Sequence, residues 1–481
     1  MSVRDKLIQT KTLLSQVFLH EPYYLEATLA CFASRANLCL LGFRGSGKTH
    51  LMECLMKTVD SSITAIQQGY LSAELEDVFA RPDIAKLVQG QEEVVFKKMV
   101  YARIKGFDEI QRLGVGALSA MFRLLTTGTV MYLDKEEGVK EFWVIATANP
   151  TEYSNDVMNI RLPEPLWDRF DGVLWVPIAK LKYLRKINGK IERLKEALPI
   201  IWREEDLLRL WKEVDEVKVS EELELIITLM NRILGYCKYA QDNDASSLTE
   251  ELKRELCGKC SKAYTCSLIA RPPSVRAKLS LIRIAKGFAY LRCSNEVSLD
   301  DVEKAFPLVY WKRIKLMDDE MVSDRLKALR DLFNRLKEEI IEVKEGIDLL
   351  KKLKAKFNFD DYERLKSFVN SKGWFAEVVE ELDDYYNELY GKIREKWDIA
   401  DDVTKAKLYL IAKTKLPPEM AKQFKADIEV TVKLNPKNMA KLLKISKKVF
   451  NEAKEAYENG VKEMKLKGEY ALMWIIQGGA N

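Results

Sequence analysis

The chain lacks any apolar run of the ~18 residues that a membrane-spanning helix needs. Its first residues, MSVRDKLIQTK, also lack the apolar core of a signal peptide. These absences predict a cytoplasmic protein. Net charge is low as well: 78 Lys and Arg against 73 Asp and Glu leave +5. A balance this small does not by itself indicate a nucleic-acid partner.

Histidine is scarce, with only His20 and His50 in 481 residues. The eight cysteines come without a secretory signal, so we expect reduced thiols or metal ligands instead of disulfides. Hydrophobic residues make up 47% of the chain, which is ordinary for a globular protein. The length is enough for roughly three domains.

The most informative segment is Gly42–Thr49, which fits G-x-x-x-x-G-K-[ST] between an apolar run and a periodic helical stretch. Strand, glycine loop and helix together predict a phosphate-binding loop, in which backbone N–H groups and the helix N-terminus surround phosphate oxygens. Lys48 would neutralise the β- and γ-phosphates, and the Thr49 hydroxyl would bind Mg²⁺. The predicted nucleotide contacts are Gly42, Gly45, Ser46, Gly47, Lys48, Thr49 and His50.

A second part of the site is predicted at Asp108 and Glu109, about 60 residues after the loop. Adjacent residues at a strand end point in opposite directions. Asp108 would therefore bind Mg²⁺ through its outer sphere, while Glu109 polarises the attacking water. The preceding strand is unusually polar, because Arg103 and Lys105 interrupt it. Asn149 ends another apolar strand and would orient water beside the γ-phosphate, although Asn-Pro also forms turns.

Two arginines follow in sequence. Arg169 lies in RLPEPLWDRFD, and Arg276 opens a helix with apolar positions at helical spacing. Isolated arginines are usually solvated or paired with carboxylates, so these two gain weight only from their order behind the earlier motifs. Between Leu125 and Phe142 the pattern predicts a hairpin whose charged turn is Asp134–Gly138.

The motifs G-x-x-G-x-G-K-T, D-E-I-Q-R, I-A-T-A-N-P, L-P-E-P-L-W-D-R-F and S-V-R-A follow in this order over about residues 1–320. Together they resemble the AAA+ ATPases, and specifically the MoxR group. The resemblance implies that Asn149 is the sensor 1 residue and Arg276 the sensor 2 arginine of the lid. It also implies that Arg169 is the arginine finger that reaches a neighbouring subunit's nucleotide.

The resemblance further implies ATP hydrolysis in a homo-oligomeric ring, most commonly a hexamer. The hairpin at 128–142 and the segment before Asp108 resemble the two family insertions that face the central pore. Arg44 and Ser46 depart from the usual loop residues but leave every charge-bearing position intact.

We expect an α/β P-loop AAA+ core, a parallel sheet between helices, in residues 1–178, followed by an all-α lid in 179–320. Residues 321–481 are expected to be all-α and to contact a partner or client. There, apolar residues alternate by three and four from Leu326 to Phe357, which indicates a coiled-coil seam. The segment 374–397 would pair with it in an antiparallel hairpin, and pairing between subunits is the alternative.

The predicted lid contains a cysteine-rich insertion at 237–266, with spacing C-x19-C-x2-C-x5-C. Four thiolates would suit structural Zn²⁺ or an iron–sulfur cluster. The alternative is ordinary thiols, as we expect for the remaining four cysteines, which lie in apolar contexts. The candidate ligands are Cys237, Cys257, Cys260 and Cys266.

These features leave three functions open. A ring ATPase that remodels protein complexes would use the C-terminal third as an adaptor, with a von Willebrand factor A domain protein as a family-implied partner. A nucleic-acid motor related to MCM helicases or GTP-driven restriction subunits is the alternative. Against it, the hairpin tip is acidic and would repel phosphates, although a lysine stripe, more often a solvated face, follows near the C-terminus. A non-catalytic switch is disfavoured by Glu109 and Arg169. The lysines are Lys437, Lys441, Lys444 and Lys448.

Overall fold

The structure of the chain, a computed structural model, describes residues 1–70, 73–150, 161–260, 265–317, 324–371, 375–425 and 427–478. The chain divides into two compact units, Met1–Ile340 and Ile341–Asn481. The division lies beyond the predicted end of the lid at residue 320, and it keeps the predicted core and lid together in one unit.

The first unit contains a large sheet and several small hairpins. Its strands are β1 (Leu38–Leu41), β2 (Thr64–Gln68), β3 (Ala80–Pro82), β4 (Val94–Phe96), β5 (Ile104–Asp108), β6 (Thr129–Tyr132), β7 (Lys135–Gly138), β8 (Trp143–Ala148), β9 (Gly172–Trp175), β10 (Ile269–Arg271) and β11 (Lys315–Leu316).

Helices surround the sheet and form the lid. They are α1 (Val3–Val17), α2 (Pro22–Ala33), α3 (Lys48–Lys57), α4 (Leu75–Val78), α5 (Ile84–Val88), α6 (Lys98–Tyr101), α7 (Val115–Thr127), α8 (Glu164–Arg169), α9 (Leu181–Leu184), α10 (Gly189–Glu196), α11 (Glu204–Asp215), α12 (Glu221–Gly235), α13 (Glu250–Gly258), α14 (Arg276–Leu291), α15 (Leu299–Tyr310) and α16 (Arg325–Glu342).

Five strands form one parallel sheet in the order β2-β5-β8-β1-β9. β1 and β8 are buried along their whole length, as expected for parallel strands covered by helices. β1 runs beside β9, from Leu38 opposite Gly172 to Leu41 opposite Trp175. Residues before these strands therefore lie at one edge of the sheet, and residues after them lie at the opposite edge. The predicted P-loop core is confirmed.

The polar character of β5 has a structural cause. Lys105 is fully buried, and its Nζ donates to the carbonyls of Met99, Val100 and Ala102 at 2.6, 2.9 and 2.6 Å. These carbonyls end the short helix α6, so the ammonium acts as a C-terminal cap. Burial lowers the pKa of Lys105 to about 7. The lysine thus stabilises the chain before β5.

The lid packs closely on the core through α14 and α2. A Cβ at Gly287 of α14 would collide with the Ala30 carbonyl of α2, so glycine permits the approach of the two backbones. The main chain between α8 and β9 is tied to the end of α15. The buried Arg313, just after α15, donates to the carbonyls of Phe170 and Asp171 at 2.8 Å each.

Two insertions project from the core. β3 and β4 pair antiparallel with α5 between them, and β6 and β7 form a second antiparallel hairpin. The second hairpin confirms the predicted element, but its turn is tighter than predicted. Leu133 and Asp134 form the turn with φ of 44° and 60°, as in a two-residue hairpin loop. Residues 135–138 are therefore strand and not turn.

The second unit is mainly helical, as predicted, but also holds one antiparallel strand pair, which we did not anticipate. The predicted coiled-coil seam is not one helix: it breaks at Val343, where ψ is 9°, and continues as α17. Part of the predicted pairing segment, Trp374, lies outside the described residues, and the remainder forms α19, which packs on α17. The elements are α17 (Lys344–Ala355), α18 (Phe359–Ser371), α19 (Glu377–Trp397), α20 (Asp402–Lys415), α21 (Pro418–Lys425), β12 (Glu429–Lys433), α22 (Pro436–Ile445), α23 (Lys447–Glu458), β13 (Glu463–Lys467) and α24 (Gly468–Ile476).

Among the described residues, no helix combines the length and the apolar composition needed to cross a bilayer.

Candidate active site

The phosphate-binding loop joins β1 to α3 and is shaped by its glycines. Gly47 precedes α3 with φ of 90°, which other residues rarely adopt. A Cβ at Gly42 would collide with the carbonyl of Val176. The first helical hydrogen bond runs from Leu51 N–H to the Gly47 carbonyl. The N–H groups of residues 48–50 therefore have no helical acceptor and form the anion-binding end of α3.

Lys48 lies at the centre of this loop. Its Nζ donates to the carbonyls of Gly42 and Phe43 at 2.8 and 2.9 Å, and it lies 3.4 Å from Ser46 Oγ. Burial lowers the pKa of Lys48, while the nearby Asp108 opposes that shift. The ammonium is thus held by the loop itself, where it can meet phosphate oxygens.

Of the predicted contacts, His50 points elsewhere. Its Nε2 lies 3.1 Å from the Val17 carbonyl and 3.6 Å from Cys54 Sγ. The ring therefore packs toward the end of α1. His50 is positioned to contribute to phosphate binding through its main-chain N–H only.

The predicted magnesium ligands lie together. Thr49 Oγ1 donates to Asp108 Oδ1 at 2.8 Å, which joins the start of α3 to the end of β5. A hydroxyl beside a carboxylate is the donor set that Mg²⁺ takes together with phosphate oxygens. These two side chains fit the ion that the fold implies. They would hold it next to Lys48, where it would neutralise phosphate charge.

Glu109 and Asn149 also meet. Asn149 Nδ2 donates to Glu109 Oε1 at 3.3 Å, and Arg112 Nη1 lies 3.0 Å from Glu109 Oε2. Glu109 itself adopts the left-handed region, with φ of 53°. The main chain thus turns sharply after Asp108 and directs the two carboxylates to different partners. Each carboxylate oxygen of Glu109 thus has one partner and keeps a lone pair that can accept a proton from water.

Two residues that we did not predict organise this centre. Thr147, on β8, donates from Oγ1 to Asp108 Oδ1 at 2.6 Å and accepts from the Glu109 N–H at 2.9 Å. It therefore orients both acidic residues at once. Arg112 pairs with Glu109 as described above. Thr147 lies two residues before Asn149, near the end of the central strand β8. This position is the one feature of the sequence that could have indicated its role.

Arg169 and Arg276 lie together, but at the edge of the sheet opposite the phosphate-binding loop. Both approach Asp168, at 3.7 and 3.9 Å. They line a cavity of about 220 Å³ that also includes Asn37, the residue before β1. Arg169 additionally donates from Nε to Thr126 Oγ1 at 3.0 Å.

Asp171 fixes this edge to the lid. It accepts from the Asn37 N–H at 2.9 Å, from Ser280 Oγ at 2.8 Å and from Arg283 at 3.0 Å. Two of these donors are on α14, whose first residue is Arg276. The position of Arg276 relative to Arg169 is therefore set by a buried polar network that we did not predict.

The cysteine group is only partly assembled. Cys257 lies within electrostatic reach of Cys237 and Cys260. In the described part of the chain, however, no three His, Cys, Asp or Glu side chains are spaced to hold a metal ion. Of the four cysteines expected in the core, three are buried, but Cys293 is exposed, so that prediction was wrong. The buried three are Cys31, Cys39 and Cys54.

Comparison with known protein families finds matches in two regions of the chain, one in the core and one in the lid. Residues 37–170 match the AAA domain of the dynein-related subfamily, and residues 269–329 match the AAA lid domain. A crystal structure of a protein classed provisionally as an ATPase, from Cytophaga hutchinsonii, aligns with a TM-score of 0.55 at 20% identity. The alignment covers 69% of this chain and 94% of that one, and it supports the fold.

Two curated relatives are DNA replication licensing factors MCM7. The Arabidopsis thaliana protein is 21% identical over 357 residues, and the Oryza sativa subsp. indica protein is 22% identical over 316 residues. These alignments cover 73% and 63% of this chain but only 46% and 40% of the relatives. The chain thus spans less than half the length of the curated relatives it matches.

The fold and the site define the class of protein: a P-loop nucleotide-binding core with a helical lid. With the family matches, the chain contains a region that matches an AAA domain and a region that matches an AAA lid.

Glu109→Gln tests the catalytic assignment. The amide keeps the shape of the side chain but cannot accept a proton from water, so ATP hydrolysis should fall by about 10²–10⁴-fold, while ATP binding is retained. Binding and turnover are measured separately, by titration with a fluorescent ATP analogue and by phosphate release. Glu92→Gln, at an exposed position in the first insertion, is the matched control and should leave both unchanged. Undiminished hydrolysis by the Glu109 variant would remove this residue from the mechanism.

Proposed function

We propose that the chain assembles into a ring in which Arg169 and Arg276 of one subunit complete the ATP site of the next. We propose further that this ring is a MoxR-type machine that uses ATP hydrolysis to remodel or assemble protein complexes.

The separation of the two arginines from their own phosphate-binding loop carries this proposal. The loop follows the last residue of β1, whereas Arg169 stands three residues before Gly172, the partner of the first residue of β1. Four residues of parallel strand span about 13 Å. Within one subunit, the arginines therefore face away from the γ-phosphate that Lys48 would hold.

The two arginine side chains are also exposed enough to contact a neighbouring subunit. The Arg169 guanidinium lies over the Phe122 ring, 4.4 Å from its centroid, and its side chain is one-fifth exposed. The Arg276 side chain is 44% exposed. A guanidinium that is positioned by packing but open to the surface can enter a neighbouring site without a large loss of side-chain entropy.

A contact between the arginine edge of one subunit and the loop edge of the next joins two different surfaces. Such heterologous contacts generate closed rings when the rotation between subunits closes. The MoxR resemblance implies six subunits in the ring. A trans-acting arginine contributes about 10³–10⁵ in rate in related phosphoryl-transfer enzymes, so assembly would control hydrolysis.

The exposed side chains of the two insertions favour a protein client. Ile84, Leu87 and Val88 of α5 are 68, 49 and 84% exposed. In the second insertion, the turn residue Leu133 is 54% exposed. Exposed apolar groups of this kind bind polypeptide segments. The C-terminal unit would then hold the client or an adaptor, such as a von Willebrand factor A domain protein, in the cytoplasm.

A nucleic-acid motor is the second candidate, and two observations favour it. The curated relatives are DNA replication licensing factors, and α22 with the start of α23 carries exposed lysines. The hairpin turn argues against it, because Asp134 and its neighbour Glu137 are exposed and would repel phosphates. The protein-remodelling function is therefore our conclusion.

Mixing two inactive variants tests the shared site. Arg169→Ala leaves the ATP pocket intact, and Lys48→Ala leaves the Arg169 side chain intact. Each alone should be nearly inactive. When the two variants are mixed one to one and assemble at random, about a quarter of the interfaces join an intact pocket to an intact Arg169. Phosphate release should therefore reappear. The control replaces the second partner by Lys48→Ala/Arg169→Ala, which supplies no arginine and should give no recovery. Co-assembly is checked by pull-down through a tag on one variant. Co-assembled but inactive mixtures would contradict the shared site.

The client class is tested by stimulation of ATP hydrolysis. Unfolded casein should raise the rate severalfold in the wild type, because it offers apolar segments to α5. Val88→Asp should abolish the increase without lowering basal hydrolysis. Ile399→Asp, a similarly exposed aliphatic residue in the second unit at 88%, is the control and should respond as the wild type does. Stimulation by DNA that falls with added salt, with no response to casein, would favour the nucleic-acid motor instead.

A further inference from the structure

The end of α7 contacts the Arg169 side chain. Thr126 Oγ1 accepts a hydrogen bond from Arg169 Nε at 3.0 Å, and the guanidinium lies over the Phe122 ring, 4.4 Å from its centroid. Phe122 and Thr126 are four residues apart on α7, so their side chains share one face of the helix. One helix therefore holds the arginine both at its Nε and at the flat face of its guanidinium.

The direction of the Thr126 hydroxyl is fixed by its own helix. Its Oγ1 donates to the Phe122 carbonyl at 2.8 Å, which is the i−4 bond that a helical threonine can make. A hydroxyl has one proton and two lone pairs. Because the proton is used by the carbonyl, the oxygen meets Arg169 as an acceptor, and a neutral acceptor suits a guanidinium that must keep its charge.

The hydrogen bond to Thr126 occupies Nε and leaves the Nη groups at the end of the guanidinium. Nη1 lies 3.7 Å from Asp168 Oδ2, which is an ion-pair contact but too long for a hydrogen bond. The N–H groups of a guanidinium can bind two phosphate oxygens at once. The threonine thus holds Arg169 at Nε while the Nη donors remain available for a ligand.

The second insertion braces the last turn of α7. Arg123 Nη2 lies 2.7 Å from Glu136 Oε1 on β7. The hydroxyls of Thr127 and Thr129 share a hydrogen bond of 2.7 Å, which joins the end of the helix to β6. The turn that carries Thr126 is therefore attached to the hairpin on both sides of this residue, which limits its movement.

We propose that Thr126 and Phe122 are positioning residues, which hold Arg169 in the direction that reaches the nucleotide of the neighbouring subunit. This inference rests on the proposed function, in which Arg169 acts across the interface. A free arginine side chain samples many rotamers. Holding one of them before the reaction lowers the barrier, because the guanidinium is already oriented. The two residues act through Arg169 and need no contact with ATP.

The first experiment measures kcat and KM for ATP in each variant. Thr126→Val keeps the shape of the side chain but removes the acceptor, so kcat should fall about 10–100-fold at an unchanged KM. Thr126→Ser, which restores a hydroxyl, should recover most of the rate. Phe122→Leu should also lower kcat, because an aliphatic side chain offers no negative ring face to a cation.

Thr12→Val is the matched control. Thr12 is exposed on α1, and its hydroxyl makes the same i−4 hydrogen bond, to the Ile8 carbonyl at 2.9 Å. This variant should keep the wild-type kcat and KM. Thr126→Val protein with the wild-type kcat would overturn the proposal.

The second experiment shows in which subunit Thr126 acts. As before, Arg169→Ala subunits supply the ATP pocket and Lys48→Ala subunits supply the arginine. Adding Thr126→Val to the Lys48→Ala subunits should reduce the recovered phosphate release about 10–100-fold. Adding it to the Arg169→Ala subunits should leave the recovery unchanged, because no arginine remains there for Thr126 to hold. Pull-down through a tag on one variant confirms co-assembly in each mixture.

Each other outcome has a distinct meaning. Equal recovery in all mixtures would overturn the role of Thr126 and leave the shared site standing. Recovery that falls wherever Thr126→Val is placed would also overturn that role, because the residue would then support the fold of its own subunit. No recovery when Arg169→Ala is mixed with Lys48→Ala alone would contradict the proposed function and this inference with it.

Discussion

Within one subunit, the strand β1 separates the phosphate-binding loop from Arg169 and Arg276. The phosphate-binding loop follows Leu41, while Asn37, just before the strand, lies in the cavity with Arg169 and Arg276. Because β9 runs parallel to β1, the chain cannot fold Arg169 back to its own loop without breaking the sheet. In the proposed ring, the arginines of one subunit and the loop of the next act on one nucleotide.

The lid contributes to this arrangement through buried polar contacts. Asp171 receives hydrogen bonds from the core at Asn37 and from the lid at Ser280 and Arg283, and the buried Arg313 donates to the carbonyls beside it. Removing one member of such a network leaves buried polar groups unsatisfied, which costs about 1–3 kcal/mol each. The network therefore fixes Arg276 relative to Arg169. In the proposed ring, a movement of the lid would shift these arginines at the interface between subunits.

Much of the site could be predicted from sequence because its motifs are local. Gly47 and Lys48 act through the loop that contains them, and Asp108 meets Thr49 because Asp108 ends one strand of the parallel sheet and Thr49 follows another. Thr147 and Arg112 were missed, because their roles depend on which strands are neighbours and on the turn at Glu109. Asp171 and Arg313 were missed for the same reason: their partners lie more than a hundred residues away.

The fold shows the same division. The P-loop core and lid were predicted from ordered motifs, but the break at Val343 was not, because the apolar spacing continues across it. Lys105 is unusual for a buried strand, and its partners at the end of α6 account for its place there. The strand pair of the second unit depends on two segments some thirty residues apart, and neither segment carries a strong signal alone.

The central claim is that ATP hydrolysis requires two adjoining subunits. It is tested most directly by measuring phosphate release per chain over a dilution series, with particle mass recorded at each concentration. The account predicts that the rate per chain falls in step with the disappearance of rings. A single chain that hydrolyses ATP at the full rate would contradict it.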